Sequence, residues 1–281
     1  MITRFAPSPT GLLHLGHAYA AIYAYDLAEE NGGRFYLRFE DIDVTRVRNE
    51  FYLAIEQDLS WLGIKWDGTP LRQSDRLRVY MEALDELKAL GVVYPCFCTR
   101  REIAREISAM GHAPHGPDGA LYPGTCRELT LYQRDARMKA GEAHCWRLDA
   151  RQAASQTGPL VFEDRLKGTV IVDAHLLGDV VLARKDIATS YHLAVVIDDA
   201  FQEITHVTRG EDLYEATHVH RILQKLLGLP APVYHHHRLI MDEHGKRLAK
   251  RDEALSLRAL REQGKNSDEV MAILAAGDTE K

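Results

Sequence analysis

No stretch of this chain approaches the roughly 18 consecutive apolar residues that a membrane span needs, and its opening, MITRFAPSPTG, lacks the charged-then-apolar order of a secretory signal. The expectation is a cytoplasmic protein with no membrane partner. Cysteine is scarce: the four residues at 96, 98, 126 and 145 are too few and too clustered for a disulfide framework, which favours a reducing compartment and a metal reading. Basic charge is lacking too. A net charge of -6 and a pI near 6.2 give no nucleic-acid footprint. Any RNA contact would rest on local patches: Arg100, Arg101 and Arg105; Lys246, Arg247, Lys250 and Arg251; Arg258, Arg261 and Lys265. Taken singly, each reads first as a solvated helix face. Internal repeats and low-complexity segments are absent.

What is present is enough for a core. Hydrophobic residues make up 46% and aromatics 8% of 281 residues, which argues against disorder and for one large domain with an insertion, or two domains. ITRFA reads as a strand closed by Pro7 and Pro9. The segment from Gly16 to about Glu30 reads as a helix with Ala18, Ala21, Ile22, Tyr25 and Ala28 on one face, stopped by Gly32 and Gly33. RFYLRFED alternates as a strand and ends on Glu40 and Asp41. This strand–helix–strand unit carries polar residues at its strand ends, where open α/β sheets bind ligands. Further helices are expected near 48–62 and 75–90. Residues from Cys96 to about Ala150 are rich in Arg, Gly and Pro, with a helix behind a Thr99–Glu102 capping box and a long irregular loop at 112–124. Strands with turns are expected over 160–186. After Ser190 a helix, a strand at EITHVTRG, a helix near 217–227 and a strand at VYHHHRLIM alternate, and the tail from 253 reads as two short helices. The domain expectation is 1–90 and 188–281 as two halves of a nucleotide-binding domain, split by an insertion over 91–187.

The strongest chemical signal is His14-Leu15-Gly16-His17 at the start of the first helix. Gly16 lets backbone approach a nucleotide, and the helix N-terminus offers N–H groups to phosphate. Two imidazoles one turn apart can donate hydrogen bonds to an α-phosphate whose charge grows in the transition state. The bland alternative is a pair of helix-capping histidines. Far downstream lies HGKRLAKRDEA, residues 244–254, a basic loop whose Arg247 and Lys250 can clamp the β- and γ-phosphates as pyrophosphate departs.

Together these motifs resemble the HIGH and KMSKS signatures of class I aminoacyl-tRNA synthetases. RFAPSPTGLLHLGH, RFEDIDVTR, QSDR, YPCFCT and VVIDDAFQEITHVTRGEDL are similar to the glutamate-specific branch over about 1–255, and most of all to its short members, which lack an anticodon-binding domain. The resemblance implies a Rossmann-like α/β catalytic domain with an inserted zinc-bearing acceptor-type subdomain. It implies catalytic roles for His14, His17 and Lys250, and ATP contacts from Gly16 and Arg247 as well. ATP with Mg2+, L-glutamate and tRNA(Asp) carrying queuosine would be the partners, with tRNA-independent formation of glutamyl-adenylate, and a monomer is expected. The second signature departs from the usual Lys-Leu-Ser-Lys: here it is Arg247-Leu248-Ala249-Lys250. Arg keeps the charge without the compact ammonium, and Ala249 removes a hydroxyl. About 30 residues follow this loop, too few for an anticodon-binding domain, and a conventional glutamyl-tRNA synthetase remnant or a non-catalytic relative are the alternatives.

Glutamate offers two carboxylates and an ammonium, so its site wants two cations and an anion. Arg4, Glu40 and Arg209 match the family's substrate contacts, joined by Tyr191 and the turn through Phe5, Ala6, Pro7 and Ser8. Arg4 and Glu40 could instead pair with each other. Cys96, Cys98 and Cys126 can gather on one tetrahedral zinc. For the fourth ligand the chemistry favours His112 or His115, whereas the resemblance points to Tyr122; free buried thiols are the alternative, and Cys145 reads as an ordinary strand residue. His235, His236 and His237 alternate across a strand and cannot jointly hold a metal, so a structural role is expected. Asp198 and Asp199 are expected at a loop end facing RNA or solvent, in preference to Mg2+.

Overall fold

The computed structural model describes residues 1–109, 115–116, 119–240 and 256–276. Strand β1 (Ile2–Phe5) leads through the first loop to helix α1 (Leu15–Glu29), which buries Leu15, Ala18, Ala21, Ile22, Ala24 and Ala28. The turn out of α1 depends on two glycines. Gly32 has φ 57°, and a Cβ on Gly33 would lie 2.1 Å from the Met1 carbonyl oxygen. Strand β2 (Arg34–Phe39) then pairs parallel with β1, setting Ile2 opposite Arg34 and Phe5 opposite Leu37. Helix α2 (Asn49–Trp61) follows, and β3 (Leu71–Arg72) adds a second parallel neighbour to β2. A 3-10 turn at Gln73–Arg76 runs into α3 (Leu77–Ala89).

The middle of the chain builds a second, antiparallel sheet. It contains β4 (Val93–Cys96), α4 (Arg100–Ala109), the two-residue pair β5 (His115–Gly116) and β6 (Gly119–Ala120), α5 (Leu131–Lys139), β7 (Cys145–Leu148) and α6 (Ala150–Thr157). The hairpin β8 (Val161–Asp164) and β9 (Gly168–Ile171) comes next, then β10 (Val181–Ala183). The antiparallel order is β10-β7-β4. Strand β8 does not join it; it pairs parallel with β12 of the main sheet. The expected capping box is present, with Thr99 N–H donating to Glu102 at 2.7 Å and Glu102 N–H to Thr99 Oγ1 at 3.2 Å. The segment expected to be irregular holds β5 and β6.

The chain returns through α7 (Tyr191–Phe201), β11 (His206–Gly210), α8 (Ala216–Leu226) and β12 (Val233–His237) to α9 (Leu257–Glu262) and α10 (Ser267–Ala276). Strands β11 and β12 are parallel, and β1 lies beside β11: Thr205 N–H donates to the Ile2 carbonyl at 3.0 Å. The strand sequence is therefore β3-β2-β1-β11-β12-β8. From β1 the chain steps one way through α1, and from β11 it steps the other way through α8. The crevice between β1 and β11 is the switch point of a doubly wound sheet, where such folds bind ligands. Helices α9 and α10 bury Leu257, Leu260, Val270 and Leu274 in the core of the first half, alongside Phe5, Leu15 and Ile55. Each such leucine contributes about 1.5–3 kcal/mol by leaving water. Among the described residues no helix is long and apolar enough to cross a membrane.

One expectation is overturned. Asp198 and Asp199 lie in the last turns of α7 and are buried, not at a solvent-facing loop end. Asp198 accepts from Gln73, Arg76 and Tyr80, and Asp199 from Arg4 and Arg38. These donors from distant segments, Arg4, Arg38 and Arg76 among them, hold the carboxylates inside.

Candidate active site

A cavity of about 450 Å3 opens at the switch point. Arg4, Phe5 and Ala6 after β1, Glu40 after β2, Thr208 to Gly210 at the end of β11, and His14, Gly16 and His17 at the start of α1 all line it, with Tyr191 from α7. Pro7 and Ser8 do not line it. The Pro7 carbonyl accepts from Glu40 N–H at 3.0 Å and so fixes the acid.

Arg4 and Glu40 do not pair with each other as the alternative reading had it. The Arg4 Nε donates to Asp199 Oδ1 at 2.9 Å and its Nη1 to the Thr208 carbonyl at 3.0 Å. Arg38, fully buried, donates from Nη1 to the same Asp199 oxygen at 2.7 Å and places Nη2 3.7 Å from Glu40. Burial pushes the Glu40 carboxyl up, against the lowering influence of Arg38 and Arg4. Arg209 is met differently. It donates to His236 Nε2 at 3.1 Å, Tyr191 OH at 3.3 Å, His220 Nδ1 at 3.0 Å and Thr217 Oγ1 at 2.5 Å. None of these partners is a carboxylate. The cavity thus has Arg4, which shares Asp199 with Arg38, the buried Arg209 held by uncharged groups, Arg238 at its rim, and the acids Glu40 and Asp212.

The two signature histidines cap α1. Nδ1 of His14 accepts from Gly16 N–H at 3.1 Å, and Nδ1 of His17 accepts from His14 N–H at 3.2 Å, a reciprocal capping box. The rings lie 3.8 Å apart, and a Cβ on Gly16 would come within 3.1 Å of the His14 ring. Capping and phosphate binding are compatible here. An Nδ1 that accepts leaves the proton on Nε2 as a donor. Arg247 and Lys250 lie outside the described residues. The described residues on both sides of that segment reach the site: Ile240 lines the cavity, and Ser256 bridges to His14 with Leu257 N–H on the Leu13 carbonyl at 2.8 Å.

In the middle of the chain the sulfurs of Cys96, Cys98 and Cys126 lie within 4.8 Å of one another. The Tyr122 hydroxyl sits among them, 3.3 Å from Cys96 and 3.6 Å from Cys98, while Cys98 and Cys126 are 3.5 Å apart. Metal–sulfur bonds of about 2.3 Å in a tetrahedron put sulfurs about 3.8 Å apart, so three thiols and a phenol fit a zinc donor set. The Cys96 thiol, then burial, pushes Cys126 up to about 12. His112 lies outside the described residues. His235, His236 and His237 are all buried in β12; His235 and His237 face Tyr23 while His236 faces Arg209, as strand alternation requires.

Arg38, His220 and Asp164 did not stand out in the sequence, and Asp199 was noticed in a different role. Arg38 reaches Asp199 across 161 positions and Asp164 reaches His236 across 72, distances that local sequence patterns do not register.

The model for tRNA synthetases class I (E and Q), catalytic domain, matches residues 1–277. The chain belongs to this family. As a class I synthetase it is a ligase-type enzyme on a Rossmann-like fold. A Glutamyl-Q tRNA(Asp) synthetase of Rhodobacter capsulatus is 51% identical to this synthetase, over 98% of this chain and 99% of its own length. A Glutamate–tRNA ligase of Aquifex aeolicus is 40% identical over 93% of this chain and 54% of its own. In structure, a glutamate tRNA ligase from Elizabethkingia meningosepticum, solved in complex with its amino acid, superposes with a TM-score of 0.75 at 31% identity, covering 90% of this chain and 52% of that one.

Proposed function

We propose that this synthetase activates glutamate with ATP, without tRNA, and transfers the glutamyl group to queuosine at the wobble position of tRNA(Asp). The observation that carries the first step is the pairing, in one cavity, of Arg209 held by uncharged partners with Glu40 and the His14–His17 pair. Arg4 and Arg209 take the two carboxylates and Glu40 the ammonium, with Tyr191 closing the wall. One substrate carboxylate oxygen bonds to the α-phosphorus and the bond to the pyrophosphate oxygen breaks. His14 and His17 donate to the α-phosphate as its charge grows, and Arg247 and Lys250 hold the departing pyrophosphate. Mg2+ supplies charge neutralisation on the phosphates. A cyclopentenediol hydroxyl of queuosine then attacks the acyl carbon, and AMP leaves.

The acceptor is supported by the match along 99% of the Rhodobacter capsulatus relative, whose name specifies it. A wobble base in a loop is reached without melting a duplex, which suits an acidic enzyme with only local basic patches. Residues 1–90 and 188–281 would form the catalytic halves, with 91–187 inserted. One structural zinc held by Cys96, Cys98, Cys126 and Tyr122 would anchor that insertion.

The test has two arms. ATP–pyrophosphate exchange should proceed with glutamate alone, and exchange only with aspartate or glutamine would overturn the pocket assignment. A queuosine-bearing anticodon stem-loop of tRNA(Asp) should then accept labelled glutamate. Charging of tRNA(Glu) at its 3′ end, with no transfer to the stem-loop, would overturn the acceptor.

A further inference from the structure

Behind the Arg209 guanidinium lies a chain of polar side chains from four elements. On one side, His236 Nδ1 faces Asp164 Oδ2 at 2.5 Å, and Asp164 Oδ1 accepts from the backbone N–H groups of Leu166 and Lys167 at 2.9 and 3.0 Å. A carboxylate can only accept, so the His236 proton sits on Nδ1, and Nε2 presents a lone pair to Arg209. Thr217 completes a triangle. It accepts from Arg209 Nη2 and lies 3.1 Å from His236 Nε2, to which its hydroxyl can donate. On the other side His220 accepts from Arg209 on Nδ1, so its proton is on Nε2, which lies 3.2 Å from His192 Nδ1. Each bond fixes the direction of the next.

Asp164, Thr217, His220 and His236 are buried, His192 partly so, and the residues behind the arginine do not line the cavity. Burial and then the Arg209 charge hold His236 down to about 4, and Asp164 is held low by His236 and the two backbone N–H groups against the opposing effect of burial. The pair is an anionic aspartate against a neutral imidazole.

We propose that Asp164, His236 and His220 are positioning residues for Arg209: they orient its fork through neutral acceptors, so that its full positive charge is kept for a substrate carboxylate. An aspartate or glutamate directly against Arg209 would orient it equally well and offset much of its attraction for a second carboxylate. Interposing an imidazole moves the supporting negative charge one ring away. The inference rests on the assignment of Arg209 to the substrate.

The discriminating experiment compares two near-isosteric variants in glutamate-dependent pyrophosphate exchange. His236→Gln places an uncharged oxygen where Nε2 stood and should raise the KM for glutamate by no more than about fivefold. His236→Glu places a carboxylate there and should raise it about a hundredfold or more, with the KM for ATP unmoved in both. Equal glutamate KM values for the two variants would overturn the proposal, since a merely structural role distinguishes them by stability alone. If His236→Glu does not fold, Asp164→Asn serves. It releases the tautomer of His236 and should raise the glutamate KM about tenfold while leaving that for ATP unchanged; no change would overturn the proposal. Absence of glutamate exchange in the wild-type enzyme would remove the functional reading itself, a separate outcome.

Discussion

His14 does two jobs that one substitution conflates and two substitutions separate. Its Nδ1 accepts from Gly16 N–H at the head of α1, and its remaining ring nitrogen is the donor assigned to the α-phosphate. His14→Ala removes both. The lost cap costs about 1 kcal/mol, which for a chain of this size lowers Tm by about 2–4 °C. The lost transition-state donor lowers kcat by about 10²–10³-fold. His14→Asn restores a side-chain oxygen at the N-cap, so stability should return to within a few tenths of a kcal/mol of the parent. The shorter amide does not reach the phosphate, and turnover should stay low. The assays are a thermal melt and pyrophosphate exchange at saturating ATP and glutamate. Two outcomes refute the reasoning: an Asn variant that recovers turnover along with stability, or an Ala variant whose defect lies in KM with kcat intact.

Two further expectations follow from the same geometry. Elemental analysis of protein purified without chelator should give one zinc per chain, lost in Cys96→Ser, Cys98→Ser or Cys126→Ser and kept in Cys145→Ser; loss in His112→Ala but not in Tyr122→Phe would move the fourth ligand to the histidine. His192 and His236 are held down to about 4, first by burial and then by Arg209, against 6.5 when unfolded. The unfolded chain therefore binds protons that the native chain refuses, so stability is intact above pH 6.5 and falls toward pH 4. Each histidine contributes about 1.4 kcal/mol per pH unit near pH 5. Urea unfolding between pH 8 and 5 should show that decline, and a flat profile would contradict the neutral histidines.

The signature histidines and most of the main-sheet elements were legible because they depend on neighbours in sequence: a strand that alternates, a helix that caps itself, a motif confined to four positions. Arg4, Glu40 and Arg209 were named through the family resemblance, and they line one cavity. Helix α5 was not legible. It buries none of its residues, so it has no apolar stripe to betray it, and only the Thr130–Gln133 capping box marks its start. Asp199 was misplaced for the opposite reason. An aspartate pair near a helix end reads as solvated until the chain brings Arg4 and Arg38 against it from 195 and 161 positions away. Periodicity carries no information about such pairings. The same holds for Arg209, whose candidacy was visible but whose uncharged surroundings come from α7, α8 and β12.

Strand β8 has a consequence for anyone who would treat the middle of this chain as an exchangeable cassette. It pairs with β12 through Tyr234 and Asp164, so part of the middle of the chain is woven into the main sheet. Replacing residues 91 to 187 as a block would carry off Asp164, and with it the carboxylate facing His236. A chimaera cut there would lose amino-acid affinity for reasons unrelated to RNA. Joining the donor segment ahead of Val161, and rejoining after Ile171 for the remainder, leaves the hairpin with its host and lets RNA preference be transplanted on its own.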